Sequence, residues 1–310
     1  MDKVDTSFLK NQHFINAENY KVEKEYDLAI IEYEKCLVQY PSEDMLLRFI
    51  DRVKRLGGRK HDVSYLDKPF NGAVFTPEDY EILSSSFSDA NHSFIKNQRE
   101  KIQNKLLSML PYILKYCRDN SFDLHPHWNE KYITSLLYPC KYNNFNVNWI
   151  GIRLGKTKHE IDQFSLPGNY NSENEYGFQR HGCFQYTLYN ESFWVGIFHA
   201  IPTNAIDRYY LKQELIKQNF KDELRKLFYS ISDKGYYFNI GENSYNLSSS
   251  NKNDVIEYYK THDKDGVYCT IGMKILPNDD RLKKENIIST INKTISELYP
   301  LFCKIVKRYY

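Results

Sequence analysis

The sequence predicts an α+β protein, in which a mostly antiparallel sheet is packed with long helices and preceded by a helical hairpin. Three observations lead there. Strand-like runs come as neighbours joined by short turns: Cys183–Tyr189 with Phe193–Ile201 across Asn190-Glu191, and Tyr236–Ile240 with Ser244–Leu247 across Gly241-Glu242-Asn243. Connections that short join antiparallel strands, because parallel pairing needs a long crossover. Stretches of helical apolar period bracket these pairs, at Asn91–Cys117, Ala205–Ser232 and Leu282–Tyr309. The run Phe193–Phe198 is apolar almost throughout, which suits burial on both sides and marks the centre of the sheet.

A chain of 310 residues suggests one large or two smaller domains. The expected division is a helical unit over 1–58, a connector over 59–90 and the α+β domain over 91–310. Hydrophobic residues at 41% and charged residues at 26% are ordinary globular usage and argue against disorder. The 27 Tyr and 18 Phe, with abundant Asn, Lys and Ile, suggest an AT-rich coding genome. A net charge of +2 supplies no global field for nucleic acid or acidic membranes, so any such contact must come from a local patch. The start has no basic segment followed by an apolar one, and no run is long enough to span a bilayer. Six Cys stand singly with no Cys-x-x-Cys pair, which reads as reduced, mostly buried thiols in a cytoplasmic protein without membrane contact.

The N-terminal helices come first in chain order. Ala17 and Ala29 allow two antiparallel helices to approach closely, tyrosines at 20, 26 and 33 fill the gap, and Pro41 stops the second helix. Over residues 13–41 this pattern resembles one tetratricopeptide repeat. Cys36 stands where that family has a small residue, and His13 and Asn16 replace its large apolar ones. The resemblance implies a helical hairpin that contacts a protein partner; the plainer alternative is a hairpin docked on the main domain. Ser42 starts a third helix with Leu46, Leu47, Phe49, Ile50 and Val53 on its apolar side, ending at Gly57-Gly58.

In the connector, Thr76-Pro77-Glu78-Asp79 predicts a short helix over Pro77–Ser84. Pro111 should kink or break the helix from Asn91, and Glu130–Leu137 could form another. Asn146–Leu154 reads as a strand, Thr157–Gly177 as a long connection, Asp254–Thr261 as a short helix and Val267–Leu276 as a strand closed by Pro277.

Chemistry is thinner. His125, His127, His181 and Cys183 are N and S ligands in His-x-His and His-x-Cys pairs, but Pro126 interrupts the first pair and no carboxylate stands ready to orient the imidazoles. Neither a metal nor a cofactor is therefore expected. Cys183 and His199 could meet across the hairpin as a thiol–imidazole pair, though nothing visible activates the thiol. Glu257, Asp263 and Asp265 more simply make a helix stop than a nuclease site, and no Gly-rich phosphate loop exists. The richest surface is aromatic and basic: Trp128, Trp149, Arg153, Lys156, Arg180 and His181, with Lys158 beside them, on the segments feeding the central hairpin. Aromatic planes among cations can stack a base and hold its phosphates; the plainer alternative makes both Trp core and the cations a solvated rim. Val147–Lys156, VNWIGIRLGK, resembles modified-DNA-reading domains of some restriction systems over about ten residues of common strand chemistry. The expectation is a non-catalytic recognition or adaptor protein. Its hairpin would contact a protein partner, and its α+β domain would bind a ligand, nucleic acid among the candidates, in a phage-defence or restriction setting. The alternative is a divergent hydrolase or nuclease with its site near the central hairpin.

Overall fold

Among the described residues, seven strands pair antiparallel throughout into one sheet. The computed structural model describes residues 7–23, 25–40, 46–50, 53, 66–126, 133–157, 160–161, 181–199, 205–248, 254–264 and 266–308. The strands are β1 (His125–Pro126), β2 (Trp149–Gly155), β3 (Cys183–Tyr189), β4 (Phe193–Phe198), β5 (Tyr237–Ile240), β6 (Asn243–Asn246) and β7 (Cys269–Ile275). Their order is β1-β2-β3-β4-β7-β5-β6, so β4, the run expected at the centre, is the middle strand, and β7 is inserted between β4 and β5. The α+β class holds.

Strand alternation sorts the side chains onto two faces. Ile150, Ile152 and Leu154 of β2, Phe184 and Tyr186 of β3, and Val195 and Ile197 of β4 all lie in the main hydrophobic core. That face receives the helices α4 (Ser93–Asp119) and α8 (Ile287–Ile305). Phe184 packs against Phe302 of α8 with ring centroids 5.0 Å apart, and Tyr186 Oη donates to the Leu106 carbonyl of α4 at 3.3 Å. Under the β5–β7 end of the same face lie α5 (Ile206–Glu214), α6 (Gln218–Ser230) and α7 (Val255–His262). Phe238 of β5 stacks on Phe228 of α6 and on Tyr259 of α7. Trp149, Arg153, Gln185, Thr187, Trp194 and Lys274 point the other way by register.

The N-terminal helices α1 (Gln12–Val22) and α2 (Tyr26–Gln39) pack as a hairpin with its own core. Ala17, Ala29, Tyr33 and Cys36 are all buried there, which is why a larger residue would force the helices apart. His13 and Asn16 bridge the pair as polar groups, both reaching Glu32 Oε2, at 2.7 and 3.3 Å. Leu46, Ile50 and Val53 seal the end of this core. Val22 belongs to the main core, and Arg118 pairs with Glu23 and Glu25, so the hairpin rests against the end of α4.

Several expectations change. Pro111 lies inside α4, which continues unbroken to Asp119. The helix expected over Ala205–Ser232 is two, α5 and α6, because the chain tightens at Leu215–Lys217, where Lys217 N bonds the Glu214 carbonyl three residues back. The described part of Glu130–Leu137 is not helical, and Thr134 bridges to Ile152 on the edge of β2. The short helix α3 is Pro77–Glu81, with Asp79 accepting from Thr76 N at 2.6 Å. Most of the connection at 157–177 lies outside the described residues. Arg99 was not singled out by any pattern, yet its guanidinium is fully buried and donates to the carbonyls of Phe87, Ser88, Ala90 and Leu137. It staples two loops to α4 without a carboxylate partner in that list of acceptors, and burial lowers its pKa.

Candidate functional site

On the second face, Trp149 and Arg153 are the first and fifth residues of β2 and point the same way. At about 3.3 Å per residue their Cα atoms stand roughly 13 Å apart, so only long side chains lying along the strand can meet. They do meet: the Arg153 guanidinium carbon lies 5.3 Å from the centroid of the Trp149 ring, a cation–π arrangement. Gly151 between them makes this possible, since it has no side chain and Thr187 leans across its position. Both partners are half-buried, so the pair sits at a boundary with solvent. Arg153 Nε is shielded from solvent without a hydrogen-bond partner, and burial lowers the pKa of the group. Among the described residues no carboxylate forms an ion pair with Arg153.

Around this pair the strand residues of the face include aromatics and no acid. Tyr189 is directly opposite Trp149 on β3 and half-buried. Trp194 leans over Gly272; it is buried but belongs to neither hydrophobic core. Phe198 and the 40%-exposed Tyr237 continue the aromatic set, and Lys274 is exposed. The strands β1 to β7 contain no Asp or Glu. The nearest carboxylate to Lys274 among its ion pairs is Glu191 in the hairpin turn, at 4.0 Å. The centre, at Gln185, Thr187 and Gly196, is buried, so the accessible part of the face is its margins.

Lys156 and His181 stand elsewhere. Lys156 follows β2, and its ammonium is buried with Asp207 of α5, reaching Oδ1 at 2.8 Å and Oδ2 at 3.0 Å, and with His181 Nδ1 at 2.9 Å. Those contacts occupy the three donors of a lysine. Asp207 also accepts from Gly182 N at 2.5 Å and Lys307 N at 2.8 Å. Burial pushes its carboxyl pKa up, but Lys156, His181 and His199 outweigh that and hold it below the ordinary value. Next to this group Arg308 pairs with Glu160 at 2.6 Å and with Asp123. The whole assembly ties the segment after α8 to the ends of β2 and β3. It is an interior clamp. Asp207 escaped sequence reasoning because an Asp in the first turn of a helix is already explained by the helix dipole. Trp128 and Arg180 lie outside the described residues.

The zinc set is not assembled by its described members. His125 bonds Asp123 at 2.7 Å, whereas His181 serves Lys156. Among the described residues no three His, Cys, Asp or Glu converge as a metal site. Nor do Cys183 and His199 form a thiol–imidazole pair. Cys183 is on the second face opposite Phe198, and burial raises its thiol pKa to about 11. His199 is on the core face, bonded through Nε2 to the Ile305 carbonyl at 3.0 Å, and burial takes its pKa down to about 4. His199 borders a cavity of about 10 Å³ lined otherwise by residues such as Leu211, Phe228 and Ile271. That is room for about one water, too small for a substrate. Asp263 is bound up with Arg208 and Lys212, and Asp265 lies outside the described residues.

No protein-family model matches the chain, and no curated protein matches it either. No helix of the described residues is long and apolar enough to cross a membrane.

Proposed function

We propose that this protein is a recognition module, with the Trp149–Arg153 margin of the second sheet face as a nucleic-acid-binding surface and its N-terminal hairpin as the contact for a protein partner. The observation that carries the reading is the Trp149–Arg153 pair: a half-buried indole with a guanidinium on its ring and no described carboxylate to neutralise it. A cation retained on an aromatic plane, with no carboxylate on the strands around it, favours an anionic ligand with flat groups. Lys156 and His181 drop out of the surface, because their nitrogens are engaged in the interior. On the hairpin, Leu28, Ile31 and Val38 are exposed along one side of α2, an apolar stripe of the kind a partner helix covers. A phage-defence or restriction setting fits the AT-rich composition.

Affinity purification of the full chain, with nucleic acid and protein analysed separately, tests this reading. Arg153→Ala is expected to lose recovered nucleic acid and keep protein partners, and Leu28→Ser with Ile31→Ser to do the reverse. Recovery of both classes unchanged in both variants refutes the proposal.

A further inference from the structure

We infer that the ligand is a single strand whose bases stack at the Trp149–Tyr189 corner, not a duplex gripped by its phosphates. The inference rests on the nucleic-acid reading above and narrows it. Trp149 and Tyr189 are paired residues on adjacent strands, so their rings start from Cβ positions about 5 Å apart. Both are half-buried, each sharing its surface between the sheet and solvent. Arg153 extends the same corner with a planar cation lying on the indole.

Charge decides between the two forms of nucleic acid. Among the described residues, the strands of this face carry two cations, Arg153 and Lys274, the second 4.0 Å from Glu191 of the hairpin turn, and no acid. Two phosphate contacts would give a duplex a salt slope of only about −1.8, where tight duplex binders neutralise roughly six to ten phosphates. Phosphate contact alone is therefore too weak a hold for this face. Aromatic platforms supply the missing affinity only if base faces are available, and in a duplex those faces are hidden in the stack. A single strand presents base faces and phosphates together, which matches two rings beside one planar guanidinium. DNA and RNA share this chemistry.

Fluorescence anisotropy with a labelled 15-mer tests it, as single-stranded DNA, single-stranded RNA and duplex DNA of one sequence, with inorganic polyphosphate as competitor. The single strands are expected to bind more tightly than the duplex. Trp149→Ala should weaken them about 5- to 150-fold, the worth of one stacked base, while Trp149→Phe retains much of the affinity. Arg153→Gln should reduce the salt slope by about 0.7. Circular dichroism and melting of each variant show that the sheet is intact, and the Phe variant keeps the test meaningful if the Ala variant unfolds. Equal binding of duplex and single strand, with Trp149→Phe and Trp149→Ala both neutral, overturns the single-strand inference and leaves nucleic-acid recognition standing. Displacement by polyphosphate at equal phosphate concentration does the same. No binding of any oligonucleotide overturns both.

Discussion

Replacing Asp207 by Asn probes the most concentrated electrostatic feature of the interior. The wild-type carboxylate is fully buried and accepts from Lys156 Nζ, Gly182 N and Lys307 N. Asparagine keeps one oxygen acceptor, so a backbone N–H can still be satisfied, but the Lys156 ammonium is left without its counter-charge. Removing one partner of a buried pair costs about 3–5 kcal/mol, against a total stability of about 5–15 kcal/mol. Urea unfolding followed by tryptophan fluorescence should show the midpoint falling with little change in slope. The paired variant Lys156→Met with Asp207→Asn should recover much of the loss, since it removes the stranded charge while the amide oxygen still accepts from a backbone N–H. The pH dependence has a defined sign. Asp207 titrates below its ordinary 3.8 in the fold, so its contribution is present above that value and is lost as the pH falls through the lower folded value. The variant should lack that acid limb. A loss below about 1 kcal/mol in Asp207→Asn, or strict additivity in the double variant, would refute the clamp.

Two further predictions follow from the sheet and from the hairpin contact. A Cβ on Gly196 would come inside 3.0 Å of the Ile271 carbonyl and of Gly272 Cα, both backbone atoms of β7 that cannot swing aside. Gly196→Ala should therefore cost about 1–3 kcal/mol by overpacking, and an unchanged melting temperature would show that β4 and β7 are not so closely apposed. His125 is opposed by burial, but its bonds to Asp123 and Glu23 prevail and raise its pKa from 6.5 to about 9. Its stabilisation is complete below pH 6.5 and disappears as the pH rises through 9. Melting curves between those limits should decline in wild type and flatten in His125→Gln; parallel profiles would remove the ion pair from the account.

Particular residues show how much was legible in advance. The β3–β4 hairpin was visible because its two runs are aromatic and β-branched and are joined by a short polar turn; the turn closes with Tyr189 N bonded to the Ser192 carbonyl. The short helix α7 was visible over Asp254–Thr261, and Asp254 caps it by accepting from Ile256 N at 3.0 Å. The Trp149–Arg153 pair was half legible. Alternation places both on one face, but their contact passes over Gly151, a position without a side chain that Thr187 leans across. Lys156 and His181 read as surface cations because nothing local separates a solvated Lys from one that has found a buried carboxylate. Pro111 read as a helix breaker, and tertiary packing of α4 on the sheet overrode that local penalty.

The sequence by itself determined the α+β class, the antiparallel pairing of the two hairpins and the burial of the β4 run. Those follow from periods of two and about 3.6, which are local properties of a chain. Tertiary structure alone decided that β7 lies between β4 and β5, that Lys156 meets Asp207 fifty-one positions away, and that Arg308 reaches back to Glu160. Ion pairs between distant positions carry no periodic signature, because a charge finds its partner by where the backbone ends up. For the same reason, the separation of Lys156, held in an interior clamp, from Arg153, lying on the Trp149 ring, became visible only in the folded chain.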